Sequence, residues 1–142
     1  MRSLFWNIDL FEKNVYKDTS VINSLTSFAD IGIFSKGDPE FQKIKLEKTG
    51  ILNLFKQEKM HIFDDKDINL IQVIDLYKNS KLFLVDDKLE TLCSAKKHKS
   101  DIFTVWVKRG PYAQAQDNIE GFVPNVTIDN LSNLSEIISS NL

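Results

Sequence analysis

Leu82-Phe83-Leu84-Val85 runs straight into Asp86 and Asp87, with Glu90 close behind. Four consecutive apolar residues bounded by polar ones read as a strand buried on both faces, and such strands belong to parallel sheets covered by helices. Open sheets of that kind bind ligands outside the carboxyl ends of their strands, which is where these acids fall. Adjacent carboxylates repel each other, so a fold that holds two of them at a strand tip calls for a cation, and magnesium is the expected one.

Similar runs recur along the chain with helical segments between them. Leu4 to Ile8 is the first, followed by a polar stretch from Asp9 to Lys17 and a short helix that Asp18 or Thr19 would cap, reaching Leu25 and Phe28. Asp30 to Phe34 is the second and stops at Ser35-Lys36-Gly37-Asp38-Pro39, a strand-to-helix turn in which glycine supplies unusual dihedrals and Pro39 opens the helix. That helix runs from Glu40 towards Gly50, with Phe41 and Ile44 at helical spacing. Ile51 to Phe55 leads into the third run, His61 to Phe63, which ends on Asp64-Asp65-Lys66-Asp67. Ile68, Ile71, Ile74 and Leu76 then mark a helix.

The acid-tipped strand is fourth, and its helix carries Leu89, Leu92 and Ala95. A fifth run, Ile102 to Val107, ends at Lys108-Arg109-Gly110-Pro111. Tyr112 to Glu120 reads as a surface loop or short helix, Val126 to Ile128 as a brief strand, and Leu131 to Ile138 as a terminal amphipathic helix. Regular βα alternation without repeat, linker or low-complexity tract predicts an α/β fold: one three-layer α/β/α Rossmann-like domain over residues 1–142 with a mainly parallel sheet.

The chain has 142 residues, 42% of them hydrophobic, enough for one core. A net charge of −2, with acids interleaved among the lysines, argues against nucleic acid as a partner. No apolar stretch approaches the ~18 residues of a membrane span. A single cysteine, Cys93, rules out an internal disulfide and fits a reducing, cytoplasmic setting. His61 has no second histidine or cysteine at ligand spacing, so zinc is not expected.

Three polar tips come in fixed chain order: Ser35 with Lys36 and Gly37, then Lys66, then Asp86 and Asp87. A hydroxyl, an ammonium and a metal-holding acid pair at one sheet edge can bind a phosphoryl group. This order resembles the haloacid dehalogenase superfamily. There, a strand-end Ser or Thr forms the second signature, a lysine near a helix start the third, and a strand ending in paired acids the fourth. Ile31 to Glu40 looks like the second, Lys66 the third and Leu84 to Glu90 the fourth; Thr104 to Gly110 and Pro124 to Leu131 resemble the next core strand and the closing strand and helix.

The resemblance implies a magnesium-dependent phosphate-ester hydrolase. Asp86 would be the main metal ligand, supported by Asp87 and Glu90, while Ser35, Lys36, Gly37 and Lys66 would hold the phosphoryl group. The family's first signature is a strand ending in Asp-x-Asp with the first aspartate as nucleophile. The best match here is Asn7-x-Asp9, which puts an amide where the nucleophile belongs, with Asn7 and Asp9 completing the metal set. Only 28 residues separate Asn7 from Ser35, too few for an inserted cap domain.

Two accounts stay open. Either this is a small capless member with a degenerate first motif, or Leu4 to Ile8 is not that strand and the nucleophile strand is missing. The expected function is a phosphatase-type hydrolase of a phosphorylated small molecule with impaired activity, or a catalytically inactive binding or scaffold protein acting through a protein partner or homo-oligomer. Each tip also has a plainer reading. Ser35 could cap the following helix, Lys66 could sit in a solvated charged turn, and Asp86 with Asp87 could be a helix cap and first-turn acid.

Overall fold

The computed structural model describes residues 2–7, 15–49, 55–108 and 111–142. Six strands form along the apolar runs: β1 (Arg2–Trp6), β2 (Asp30–Lys36), β3 (Met60–Phe63), β4 (Lys81–Asp86), β5 (Phe103–Val107) and β6 (Val126–Ile128). They make one sheet in the order β3-β2-β1-β4-β5-β6, and every neighbouring pair is parallel. The expected α/β fold with a Rossmann-like parallel sheet is therefore the observed one. β1 lies at the centre, with Phe5 opposite Gly32 on one side and Leu84 on the other. The run at Leu4 is thus a central strand, between β2 and β4.

Parallel strands need crossovers, and helices supply them: α1 (Val15–Leu25), α2 (Pro39–Thr49), α3 (Lys66–Leu76), α4 (Leu89–His98), α5 (Pro111–Gln114) and α6 (Leu134–Ser139). Side chains from α1, α2 and α6, such as Ile22, Leu46 and Leu134, pack with Trp6, Ile33 and Phe83 on one face of the sheet. Leu70 and Val73 of α3 and Leu92 of α4 pack with Phe5, Phe34 and Leu84 on the other. Central strands covered on both faces explain their unbroken apolar runs. At Gly32 the packing leaves no room for a side chain, since a Cβ would come within 2.3 Å of the Phe5 ring and 2.6 Å of the Lys59 carbonyl.

Three local expectations need correction. Asp18 and Thr19 do not cap α1 but lie inside it, because the helix begins at Val15. In α2 the expected apolar face is outside: Phe41 and Ile44 are exposed, while Gln42 and Leu46 are buried. In α3, Ile68, Ile71 and Leu76 are likewise exposed, and the buried face is Lys66, Leu70, Val73 and Ile74. In α3 isoleucine, leucine and valine fall on more than one face, so periodicity leaves its rotation undecided, and Lys66 is among the residues turned inward. Ile8, Gly50, residues 51–54, Arg109 and Gly110 lie outside the described residues.

His61 on β3 shares a 2.6 Å hydrogen bond between its Nε2 and the Tyr77 hydroxyl, and its ring stacks near Phe63. Burial, aided by the Lys59 ammonium, lowers its pKa from the ordinary 6.5. Below pH 6.5 the unfolded chain then takes up a proton that the folded chain resists, so stability is full above that value and falls as pH drops. Between pH 7 and pH 5 the native chain should lose melting temperature relative to His61→Gln, which lacks the group that resists protonation.

Candidate functional site

The carboxyl ends of β1, β2 and β4 lie side by side, and each ends on a polar residue in a dry setting. Asn7 follows β1, Ser35 is the penultimate residue of β2, and Asp86 closes β4; their exposures are 8%, 0% and 0%. Buried polar groups of this kind require partners. Ser35 Oγ donates to Asn7 Oδ1 at 3.0 Å, and Asn7 Nδ2 points to Asp86 Oδ1 at 3.5 Å, the long end of hydrogen bonding. One carboxamide therefore links the tips of three adjacent strands.

Lys66 enters from the opposite direction as the first residue of α3. Asp65 caps that helix, its carboxylate accepting the Ile68 N–H at 3.2 Å, and this fixes where the first turn starts. The Lys66 side chain runs inward, and its Nζ lies 5.0 Å from the centre of the Phe34 ring and donates to Asp86 Oδ2. With side chains 6% and 0% exposed, this is a buried ion pair rather than a solvated turn. The other Asp86 oxygen also accepts the Lys88 N–H at 2.9 Å.

Asp87 is half-buried beside it. Burial, then the negative charge of Asp86, pushes its carboxyl up to about 6. Above that pH two carboxylates face one ammonium, so the group carries one net negative charge.

The plainer reading of Ser35 as a helix cap fails, because Asp38 does that work, accepting the Phe41 N–H at 3.0 Å. Gly37 has φ +142, a backbone state that favours glycine, and a Cβ there would meet Gln42 Nε2 at 2.5 Å. Its N–H donates to the Phe63 carbonyl at 2.9 Å, extending the β2–β3 ladder, and the exposed Lys36 precedes it on the rim. Glu90 does not join the acids: Leu89 is buried, which turns the next residue out to solvent. Among the described residues no group of three His, Cys, Asp or Glu side chains is placed to hold a metal. Asp9 lies outside the described residues.

Sequence reasoning missed Trp106 and Gln116, whose side chains both reach the Asp87 carbonyl, at 3.0 and 2.6 Å. Trp106 reads simply as core, and Gln116 lies in an aperiodic stretch with no signal to mark it.

The oxygen donors present, two carboxylates and an amide, suit a hard cation such as magnesium, which commonly binds through one or two carboxylates and completes its shell with water and phosphate. Their place is the carboxyl edge of a parallel α/β sheet, beside a hydroxyl and a buried lysine. Fold and site together define a Rossmann-like α/β protein with a buried polar cluster at the carboxyl edge of its sheet.

Solved structures agree. The chain is similar to a haloacid dehalogenase-like hydrolase from Burkholderia xenovorans LB400, with 25% identity and a TM-score of 0.72 over 92% of this chain and 63% of that one. It is also similar to the HAD-hydrolase YfnB from Bacillus subtilis, a structure bound to magnesium. Identity there is 15%, with a TM-score of 0.64 over 84% of this chain and 53% of that one. A haloacid dehalogenase-like family hydrolase from Xanthomonas campestris gives 13% identity and a TM-score of 0.66 over 87% and 53%. No family model and no curated protein matches the sequence. The chain has the fold of the haloacid dehalogenase-like superfamily. It spans between about half and two thirds of the length of these relatives.

Proposed function

We propose that this chain binds magnesium and a phosphoryl group at the carboxyl edge of its sheet, and that it is a phosphatase-type hydrolase of small phosphate esters whose turnover is impaired. The observation that carries the reading is the meeting of Asn7, Ser35, Lys66 and Asp86 in one buried cluster. Asp86 and Asp87 are the metal ligands, with the Asn7 oxygen near them, and Asp9 is assigned to the same set from its place in the sequence. Ser35 and Lys66 hold the phosphoryl oxygens, and Lys36 and Gly37 shape the rim. Magnesium bound there would offset the negative charge of the pocket and of the phosphoryl oxygens.

The charge balance supports the requirement for a cation. Lys66 is already matched by Asp86, so a phosphate monoester approaching Asp87 would enter a net-negative site. Catalysis is impaired for a chemical reason: a carboxamide oxygen is a poor nucleophile, and the Ser35 hydroxyl already donates to this one. Residual hydrolysis would use water directly or Asp9. The same Asn7–Ser35 bond favours a second reading, a binding protein of this fold without turnover, in which Asn7 serves only to tie the strands.

As a proposal, the setting is the cytoplasm, consistent with one buried cysteine; among the described residues no helix is long and apolar enough to cross a membrane.

The direct test is linkage. At tenfold excess over its dissociation constant, magnesium stabilises the folded state by about 1.4 kcal/mol, a rise in melting temperature of about 4 °C. Asp86→Asn should abolish that rise, whatever it does to the starting temperature. An unchanged melting curve for the native chain at millimolar magnesium would sink the metal site.

A further inference from the structure

The turn that carries the two acids is gripped from outside by one side chain. β4 ends at Asp86, and α4 begins at Leu89, so Asp87 and Lys88 form the whole connection. The Asp87 carbonyl accepts two donors, Gln116 Nε2 at 2.6 Å and Trp106 Nε1 at 3.0 Å. A carbonyl oxygen has two lone pairs, so both are engaged, and the peptide between Asp87 and Lys88 is held against rotation.

The other end of the same carboxamide faces the helix. Leu89 N–H donates to Gln116 Oε1 at 2.7 Å. The first N–H groups of a helix lack intrahelical partners, and the N-cap residue, Lys88, makes no side-chain cap bond. Gln116 takes that place. It is anchored in turn, because Ala113 of α5 is fully buried and its carbonyl accepts the Gln116 N–H at 3.4 Å.

We propose that Gln116 is the positioning residue for the acid pair: by clasping the Asp87 carbonyl and the Leu89 N–H together it sets the direction of the Asp86 and Asp87 carboxylates toward magnesium. This rests on the metal reading above. Partners that orient ligands from behind are typically worth about 10- to 100-fold in metal affinity. Glutamine suits the task because its amide both donates and accepts, and a side chain with only one of those functions could hold only one end of the turn.

The experiment titrates magnesium chloride calorimetrically into the native chain and Gln116→Met, which keeps the length and removes both hydrogen bonds. Amide hydrogen exchange is followed in the metal-free proteins. Magnesium affinity should fall about 10- to 100-fold in the variant. Exchange at Leu89 should quicken while Phe83 and Leu84 in β4 keep their protection. If Gln116→Met is too unstable to titrate, Gln116→Asn carries the same comparison, with the amide kept on a stem one methylene too short to span both partners. A variant that melts lower but binds magnesium within twofold of the native chain would show a merely structural role and overturn the proposal. A native chain that takes up no magnesium would overturn the metal reading itself, a different and separable failure.

Discussion

Asn7→Asp should install magnesium-dependent hydrolysis of an aryl phosphate, raising the rate by at least ~100-fold over the native chain, since it supplies a nucleophile where none stands. Carboxylate and carboxamide have the same shape, so β1 need not move and the Ser35 hydroxyl can still donate to the retained oxygen. The second oxygen would replace Nδ2, which lies 3.5 Å from Asp86 Oδ1. A weak attraction would become a repulsion between buried acids. Without a divalent cation the variant should therefore be less stable than the native chain, by about 1–3 kcal/mol. With magnesium the order should reverse, because a third carboxylate strengthens the metal site.

Rates with p-nitrophenyl phosphate and melting temperatures, each with and without magnesium, test both halves. Turnover in Asn7→Asp alone marks an impaired hydrolase. Silence in both chains, together with a magnesium-bound state in each, would favour the binding protein instead.

The largest loss of stability should come from Lys66→Met. Methionine can fill the space of the lysine stem but leaves Asp86 Oδ2 without its ammonium inside a group that solvent does not reach. Removing one partner of a buried ion pair costs about 3–5 kcal/mol. For a chain of this size that is a drop in melting temperature on the order of 10 °C. Lys66→Met with Asp86→Leu should recover most of the loss, since replacing both partners of a buried pair by apolar groups is often close to neutral. Urea unfolding of the two single variants and the double variant closes the cycle and yields the coupling between them. A single-variant cost under about 1 kcal/mol would show the pair to be solvated and the site open to water.

Much of this architecture is written in short segments of the chain. Runs such as Leu82 to Val85 announce two-sided strands, and their polar ends announce a ligand edge, because strand burial and strand ends are local properties that a few neighbouring residues express. The chain order Ser35, Lys66, Asp86 follows from βα alternation in the same way. Asp38 and Asp65 also act locally, as helix caps, a role that Ser35 does not take.

Long-range packing decided the rest. The rotation of α2 and α3 escapes pattern reading because the apolar Phe41, Ile44, Ile68 and Ile71 face out while the polar Gln42 and Lys66 are buried beside Leu46, Leu70 and Val73. The helix caps and the sheet, not hydropathy, chose between the faces. Glu90 was drawn to the acids by nearness in sequence, and the burial of Leu89 turned it away. Asn7 with Asp86, and Gln116 with Asp87, lie 79 and 29 residues apart. No local pattern encodes such pairs. Residue types and their order define a parallel α/β sheet with an acid-bearing edge; which side chains meet there, and which amide holds the acids in place, exist only once separate strands close on one another and water is excluded.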